Sequence, residues 1–584
     1  MTGSGAEFFK RVGLAFGLIA LLMFVTNAAA IAALRFPDPD DTLRLVQVRD
    51  LLAGQGWFDM TQHRINAAHG GVPMHWSRLV DVPIAAVILA LRPLLGAGNA
   101  EIAALLIVPM LTLAVVLVLI ARVAWERLGR EQTVLACLMC AMSVPVMTQI
   151  RPMRIDHHGW QVAAALLAMN GLMTRHARAG GWISGGALAL GLSISLEGLP
   201  LTAVFGAIGA WRWLRCGETR LWLVHFAQGL AAVSLASFAA TRGFGDVANH
   251  CDAIAPVHLA MFVWAALALS GLALVPRGKP ALVIGGFGVV GAGALAIYLG
   301  VAPQCRAGSF DMLDPLVRHL WYDQVAEGLP VWRQDWTTAL QTVVPPLFGL
   351  IALTQLIRRK IGDERIWWQE YTALLAGALV IAVLVTRAGA VAGALAAVPL
   401  AWLVSEQLYL AREGRTWDRR LIAMLGILTA LVPSAPITLF GLIPHGHTAP
   451  TLPSQQVSAC EVRQGAQVFA HLPAGAILAP LDIGPELLLA TPDSVLATGH
   501  HRGARAMHQV IAAFTGSAAQ AQAIAADNRI AYLALCPDLG EPQIYAHAAP
   551  HGLAADLLAG RTPVWLTSVE ARRDGRLLVW KVAG

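Results

Sequence analysis

The sequence predicts an α-helical polytopic membrane protein, with about 13 transmembrane helices and a small extracytoplasmic α/β domain at the C-terminus. Hydrophobic residues make up 57% of the 584 residues and charged residues only 13%, against about 25% charged residues in ordinary soluble domains. Long apolar runs alternate with short loops that carry most of the lysines and arginines, as in cytoplasmic loops of membrane proteins. The net charge of +6 therefore reflects topology, and nucleic acid is not a predicted partner.

The apolar runs can be assigned to helices one after another. Lys10 and Arg11 precede the first run, which favours a cytoplasmic N-terminus and an uncleaved first helix. The run at 182–213 is too long for one span and has basic flanks, so it predicts two short helices with a break at 197–200. A shorter run at 82–97 contains Pro93 and suits an interfacial or re-entrant helix. The other predicted spans are 13–34, 100–124, 131–149, 160–175, 220–240, 257–275, 281–301, 340–358, 370–386, 389–411 and 420–443.

The unusual polar segments all fall on the outer side of this topology, whereas the inner loops are short and merely basic. Residues 1–444 are therefore predicted to form a transmembrane domain with an extracytoplasmic functional face. Residues 445–584 contain alternating strand and helix patterns and no 18-residue apolar run, which predicts an extracytoplasmic α/β domain. The outer polar segments are the first external loop (35–81), the stretch 151–160, the turn at Glu197, the loop 241–256, the late external loop (302–339) and the C-terminal tail.

The seven cysteines are too few for a disulfide scaffold. Cys137, Cys140 and Cys216 fall in or beside apolar runs and are expected to be core or interfacial residues. The other four lie on the predicted outer side, where cysteine pairs can oxidise. The sequence leaves open whether these pairs form, and the residues concerned are Cys251, Cys305, Cys460 and Cys536.

Two clusters of potential metal ligands lie at the outer ends of helices. In one, Asp156 and His158 are spaced so that both side chains can reach one cation, while His157 is expected to point away as a structural residue. Carboxylate-rich sites suit Mg²⁺ or Mn²⁺. The plainer interpretations are a helix N-cap at Asp156 and a solvated Asp-Pro turn in the other cluster. That second cluster opens the first external loop and consists of Asp38, Asp40 and Asp41.

Further candidates lie in the same outer segments. His75 and Arg78 flank Trp76. This group either holds a lipid phosphate or stacks on a sugar, or it simply anchors the chain in the headgroup layer. Glu327 follows aromatic residues in the late external loop, where it either contributes to a metal or acceptor site or is a solvated carboxylate. Arg387 lies at the outer end of a helix and either grips a diphosphate or snorkels to the interface.

The order and sidedness of these motifs resemble the catalytic subunits of oligosaccharyltransferases, which are C-type (GT-C) membrane glycosyltransferases. That family has about 13 helices, a first external loop that begins with Asp-Pro, a second acidic motif after the third helix and a C-terminal external domain. The similarity extends over nearly the whole chain. The segments that carry it are Asp38-Pro39 with Thr42 and Arg44, 54–59, Asp156 with His158, 324–327, Arg387 and 480–484.

The resemblance implies an enzyme of the extracytoplasmic face of the bacterial inner membrane. Its donor would be a polyprenyl-(di)phosphate-linked sugar, and its acceptor a protein or a glycan. Mg²⁺ or Mn²⁺ would be held by Asp38, Asp156 and His158, with donor phosphate contacts from Arg387, His75 and Arg78. Glu327 and Asp482 would bind the acceptor, catalysis would involve Asp38, Asp41 and Glu327, and Asp40 and Glu197 are additional candidates.

The chain also departs from the family pattern. Both tryptophans of the family's Trp-Trp-Asp motif, which reads the hydroxyl residue of the acceptor sequon, are missing, so only Asp482 is left. Two other function classes stay open: a transporter or flippase of lipid-linked sugars, and a non-catalytic membrane assembly protein. The clustering of polar groups on one face argues against a transporter, because alternating access needs a central site.

Overall fold

The structure, a computed structural model, describes residues 2–174, 176–216, 219–276, 278–413, 417–432, 460–569 and 577–583. The chain divides into two compact units, each assembled from three segments. The predicted boundary between residues 444 and 445 lies outside the described residues, so the domains 1–444 and 445–584 stay a prediction. The first unit comprises Met1–Arg35, Ser77–Arg306 and Ala326–His445, and the second comprises Phe36–Trp76, Ala307–Val325 and Gly446–Gly584.

Helices dominate the chain up to residue 432. In chain order they are α1 (Thr2–Thr26), α2 (Ala28–Ala32), α3 (Pro39–Leu52), α4 (Arg78–Leu95), α5 (Ala97–Arg127), α6 (Arg130–Met142), α7 (Val144–Ile150), α8 (His158–Met173), α9 (Ala177–Ile194), α10 (Leu199–Arg215), α11 (Arg220–Thr241), α12 (Pro256–Leu272), α13 (Pro280–Val301), α14 (Pro315–Leu320), α15 (Trp336–Arg358), α16 (Gly362–Leu384), α17 (Gly389–Glu413) and α18 (Trp417–Leu431).

This is a multi-pass membrane protein. Among the described residues, seven helices are long and apolar enough to cross a bilayer, or eight if the bent pair α6–α7 forms one span. Each of the predicted runs coincides with a helix or with part of one, although the count of 13 spans stays a prediction. The last predicted run, 420–443, is described only as far as residue 432, and its remainder lies outside the described residues.

Two helix breaks show how far the apolar pattern predicts local geometry. The predicted break in the run 182–213 is confirmed, because α9 ends at Ile194 and α10 begins at Leu199. The predicted single helix 131–149 is wrong: α6 and α7 meet at Ser143 with a bend of 78°. Pro145 lies in the first turn of α7, where a residue without a backbone N–H is tolerated, so a new helix starts there.

Small residues allow close helix contacts in the core of the first unit. Helix α9 packs against α8 and α11. A Cβ atom at Gly181 would lie 2.4 Å from the carbonyl oxygen of Trp222, and one at Gly185 would lie 2.1 Å from that of Phe226. Only glycine fits such backbone contacts, which are typical of helix pairs in membranes.

The second unit contains a mixed sheet. Strands β3 to β5 are parallel, whereas β7 runs antiparallel to both β5 and β6, and the strand order is β4-β3-β5-β7-β6. The α/β domain predicted from the strand and helix pattern is confirmed as a fold. In the first external loop, β1 (Thr61–Gln62) and β2 (Val72–Pro73) form a separate antiparallel pair. The elements of the α/β fold are α19 (Val462–Gly465), β3 (Ala476–Leu478), α20 (Gly484–Ala490), β4 (Ser494–Val495), α21 (Ala504–Thr515), α22 (Ala518–Asp527), β5 (Ile530–Leu535), α23 (Gly540–Ala548), α24 (Leu553–Leu558), β6 (Leu566–Ser568) and β7 (Leu578–Val582).

The first external loop is more ordered than its polar sequence suggested. Helix α3 begins directly after Asp38, whose side chain accepts a hydrogen bond from the backbone N–H of Asp40 at 2.9 Å. An acidic N-cap followed by Pro39 at the first helical position is a strong helix start. The interpretation of this stretch as a solvated turn is therefore wrong.

Two disulfides cross-link the described chain. Cys251 pairs with Cys305 in the first unit, and Cys460 pairs with Cys536 in the second. These are the four cysteines that the topology places on the outer side, and their oxidation agrees with that placement.

Candidate functional site

The core of the candidate site is the turn that enters α8. Asp156 and His158 are almost completely buried, with 1% and 7% of their side-chain surfaces exposed. His158 Nε2 lies 3.4 Å from Asp156 Oδ2 and 3.8 Å from Glu327 Oε1. The first unit thus brings three of the predicted site residues together around one imidazole nitrogen.

The tautomer of the His158 ring follows from the hydrogen-bond partner of its Nδ1 atom. His158 Nδ1 lies 3.1 Å from the amide oxygen of Gln161, which can only accept a hydrogen bond, so Nδ1 carries the proton. In the neutral ring Nε2 is then a lone pair, and it faces two carboxylate oxygens. A lone pair among anionic oxygens is unfavourable unless a cation or a proton lies between them.

His157 supports Asp156 from the other side. Its Nδ1 lies 2.6 Å from Asp156 Oδ1, and a carboxylate oxygen can only accept, so the imidazole N–H donates. The expectation that His157 points away is wrong, because the turn directs its ring to Asp156. Such a hydrogen bond fixes the direction of the second carboxylate oxygen, which faces His158.

Arg387 joins two carboxylates at one edge of this group. Its Nη2 lies 2.9 Å from Glu197 Oε1, and its Nη1 lies 3.3 Å from Glu327 Oε1. The turn that carries Glu327 is held in place because the backbone N–H and hydroxyl of Thr386 both donate to the carbonyl oxygen of Leu329, at 3.1 and 2.7 Å. Arg387 therefore presents a fixed positive charge next to Glu327.

The residues present fit a divalent cation. Two ligand atoms bound to one ion at about 2.1 Å lie about 3.0–3.4 Å apart, and Asp156 Oδ2 and His158 Nε2 are separated by 3.4 Å. Glu327 contributes a further oxygen near the same nitrogen. A mixed set of oxygen and imidazole ligands suits Mn²⁺, Zn²⁺ and similar ions better than Mg²⁺.

The second unit holds the other acidic candidates. Asp38 caps α3, Asp41 is fully buried in its first turn, and Asp40 is half-buried. The hydroxyl of Thr42 donates to Glu486 Oε1 at 2.8 Å, so this residue of the first motif has a structural role within the unit. The predicted roles of Asp38, Asp40 and Asp41 stay predictions.

Asp482 belongs to an acidic network at the start of α20. Glu541 accepts hydrogen bonds from the backbone N–H groups of Leu481 and Asp482, at 2.7 and 2.8 Å, and another from the hydroxyl of Tyr545. Loss of surrounding water and the charge on Asp38 raise the pKa of Asp482, although the residue keeps an exposed face. Burial and the charge on Asp482 raise the pKa of Glu541.

Two candidates for the donor phosphate lie in different surroundings. Arg78 is fully buried and forms an ion pair with Asp81, with 3.1 Å between Nη1 and Oδ2. His75 contacts two histidines of the C-terminal segment, His500 and His501. The predicted phosphate role of both candidates stays a prediction.

Solved structures of similar fold come from an archaeal enzyme. The oligosaccharyltransferase AglB of Archaeoglobus fulgidus, in complex with an inhibitory peptide and a dolichol-phosphate, matches with a TM-score of 0.64 over 94% of this chain and 72% of that chain. The chain has the fold of an oligosaccharyltransferase. Sequence identity is only 14%, so the likeness concerns the fold alone.

Two other structures of an oligosaccharyltransferase from Archaeoglobus fulgidus give similar values. The form tethered to an acceptor peptide with the NVT sequon has a TM-score of 0.64 at 13% identity, covering 96% of this chain and 73% of that chain. The complex with Zn and sulfate has a TM-score of 0.60 at 13% identity, covering 93% and 70%. No protein-family model matches the sequence, and no curated protein does either.

The GT-C-like fold expected from the motif order is thereby confirmed. Sequence reasoning missed the role of Gln161, which sets the His158 tautomer, although a polar residue three positions into a helix is a usable signal. It also gave Glu197 only a minor place, whereas the structure pairs this carboxylate with Arg387.

Proposed function

We propose that this protein is a metal-dependent glycosyltransferase that moves a sugar or oligosaccharide from a polyprenyl-(di)phosphate lipid to an acceptor on the outer face of the membrane. The observation that carries the proposal is the buried group of Asp156 and His158 beside Glu327 and Arg387, on the fold of an oligosaccharyltransferase. In a reaction with a phosphate leaving group, negative charge develops on that phosphate. Metal ligands next to a fixed positive charge can stabilise this negative charge.

The donor class is supported by the chemistry of the site. Asp156 and His158, with Asp38 as the predicted third ligand, would hold a divalent cation, which would supply charge neutralisation for a departing phosphate. Arg387 adds a fixed positive charge for the same group. The archaeal structure of similar fold contains dolichol-phosphate, and an enzyme that works on the outer face cannot draw on cytoplasmic nucleotide sugars.

Glu327 is the proposed acceptor residue. Its carboxylate is oriented by Arg387 and by the turn contact to Thr386, so it can accept a hydrogen bond from an acceptor N–H or O–H and align it for attack. The acceptor is a protein or a glycan. The archaeal enzyme has been captured with a peptide bearing the NVT sequon, whereas the present chain keeps only Asp482 of the motif that reads such sequons.

The proposed location is the bacterial inner membrane, with the site and the C-terminal segment on the periplasmic side. The disulfides Cys251–Cys305 and Cys460–Cys536 support this placement, because such bonds persist in oxidising compartments.

A deletion strain tests the proposal. We expect mass spectrometry of its glycoproteins and glycans to reveal a lost modification, with the lipid-linked donor accumulating. The intact gene should restore transfer, and Asp156→Asn and His158→Gln should not. Asp246→Asn is the matched control, because Asp246 is also paired with a histidine in the first unit, at 2.7 Å. Unchanged glycans in the deletion strain, or full restoration by Asp156→Asn at normal protein levels, would overturn the proposal.

A further inference from the structure

Three histidines of the second unit form a compact cluster, and two of them, His500 and His501, have no part in the proposed glycosyl transfer. His75 comes from the first external loop, and His500 and His501 come from the C-terminal segment. His75 and His500 are separated by 425 residues in the sequence. One ligand nitrogen from each ring lies within 4.8 Å of the other two. The three ring centroids are 4.8–5.1 Å apart.

The cluster is sheltered from water. His500 and His501 are only 4% and 5% exposed. Trp76 packs edge-on against His500, with 5.8 Å between ring centroids, and Phe310 packs against His501 at 4.9 Å. Two aromatic side chains therefore cover part of the cluster, and the nitrogen donors of His500 and His501 lie largely out of contact with water.

Backbone hydrogen bonds join the first external loop to the C-terminal segment. The N–H of Asn66 donates to the carbonyl oxygen of Val495, and the N–H of Val495 donates to that of Arg64, both at 2.9 Å. Arg502 Nη1 donates to the carbonyl oxygen of Met74 at 3.4 Å. The three rings are thus presented by segments whose positions are fixed independently of the rings themselves.

We infer that His75, His500 and His501 bind a transition-metal ion of the Zn²⁺ type, which ties the first external loop to the C-terminal segment. Three imidazoles on Zn²⁺ at about 2.05 Å lie about 3.3 Å apart. His75 Nδ1 and His500 Nε2 are 2.8 Å apart, and the three ligand nitrogens all lie within 4.8 Å of one another, so binding requires the rings to adjust their positions. Imidazole donors favour Zn²⁺, Cu²⁺ or Ni²⁺ over Mg²⁺, and these three ligands belong to the second unit, whereas Asp156 and His158 belong to the first.

The ion has a structural consequence. A metal that binds the folded cluster and not the unfolded chain stabilises the second unit by mass action. A fourth coordination position would be open to water or a small anion. Loss of the ion is expected to loosen the first external loop without removing Asp156 or His158.

Zn²⁺ binding to the full-length, untagged protein in detergent tests the inference. The double variant Asp156→Asn/His158→Gln removes the proposed catalytic site, and we expect it still to retain one Zn²⁺ per chain after dialysis in excess Mg²⁺. Adding His500→Gln or His501→Gln to this variant should weaken Zn²⁺ binding by more than about 100-fold. Even the loss of a residue that only hydrogen-bonds to a metal ligand lowers metal affinity by about 10- to 100-fold. His508→Gln, at an exposed histidine paired with Asp314 at 3.0 Å, should change nothing.

A thermal measurement on the same double-variant background keeps the test decisive if a variant folds poorly. Saturating Zn²⁺ should raise the Tm of the chelator-treated background protein by roughly 5 °C, and His75→Gln, which alters only the loop ligand, should abolish the shift. The inference is overturned if this background protein binds no Zn²⁺, or if His75→Gln, His500→Gln and His501→Gln bind it as tightly as the background protein does.

Discussion

His157 gives the sharpest test of how the catalytic cluster is positioned. The perturbation is His157→Phe, which keeps a ring against His158, at a centroid distance of 4.2 Å in the native protein, but removes the N–H that Asp156 accepts. That hydrogen bond is 2.6 Å long and buried, and hydrogen bonds to charged groups contribute about 1.5–3 kcal/mol. At about 1.4 kcal/mol per tenfold change, the dissociation constant for Mn²⁺ should rise about 10- to 100-fold.

The assay is Mn²⁺ binding to purified protein, followed by electron paramagnetic resonance, and the Mn²⁺ dependence of glycan transfer. A positioning role predicts that saturating Mn²⁺ restores most of the transfer rate. His157→Asn should rescue binding, because the Asn amide can replace the Nδ1 donor. His250→Phe is the matched control, as His250 forms a similar pair with Asp246 at 2.7 Å. An unchanged Mn²⁺ affinity in His157→Phe would refute the reasoning.

Three further predictions address other parts of the molecule. Arg387→Met should lower kcat/KM about 100- to 1,000-fold by removing a fixed cation, while the Mn²⁺ affinity measured by electron paramagnetic resonance changes little. Arg387→Lys should retain part of the rate. Full activity of Arg387→Met would contradict the proposed role of Arg387 as a positive charge for the departing phosphate. Burial and the charge on a neighbouring carboxylate raise the pKa of Glu541 to about 8; the folded state then binds more protons than the unfolded state, so stability falls as pH rises between about 4.5 and about 8, by up to about 1.4 kcal/mol per pH unit. Tm measured across this range should therefore fall less steeply in Glu541→Gln, and an equal slope would exclude the titration. Reduction of Cys460–Cys536, or its replacement by serines, should lower the free energy of unfolding by about 2–5 kcal/mol in a denaturant titration, and an unchanged midpoint would show that the bond carries no stability.

The sequence predicts those parts of the fold that depend on local composition. The break near Glu197 follows from a run too long for one span, and it is found between α9 and α10. The bend at Ser143 was missed because the apolar run continues through it, although Pro145 marks the start of a new helix. Helix α3 does not stand out in the sequence because its first residues are polar and resemble a loop. Its start is marked only by the N-cap residue Asp38 and the proline that follows.

Some contacts of the candidate site can be predicted from sequence spacing, whereas others arise only in the folded chain. Asp156 and His158 are two residues apart, so their convergence is a local property that the sequence shows. Arg387, Glu197 and Glu327 lie on three separate 3₁₀ turns. Their ion pairs depend on those turns meeting in the folded chain, and no sequence spacing encodes that meeting. The histidine cluster is the extreme case, because His75 and His500 are separated by 425 residues and come together only through the folded second unit.

The central claim is that Asp156 and His158 hold one divalent ion. Anomalous diffraction from crystals soaked in Mn²⁺, with data collected at the manganese absorption edge, tests it most directly. The account predicts a peak about 2.0–2.3 Å from both Asp156 Oδ2 and His158 Nε2, absent from crystals of His158→Gln. A map without density at that point in the native protein, or with manganese bound only elsewhere, would contradict the account.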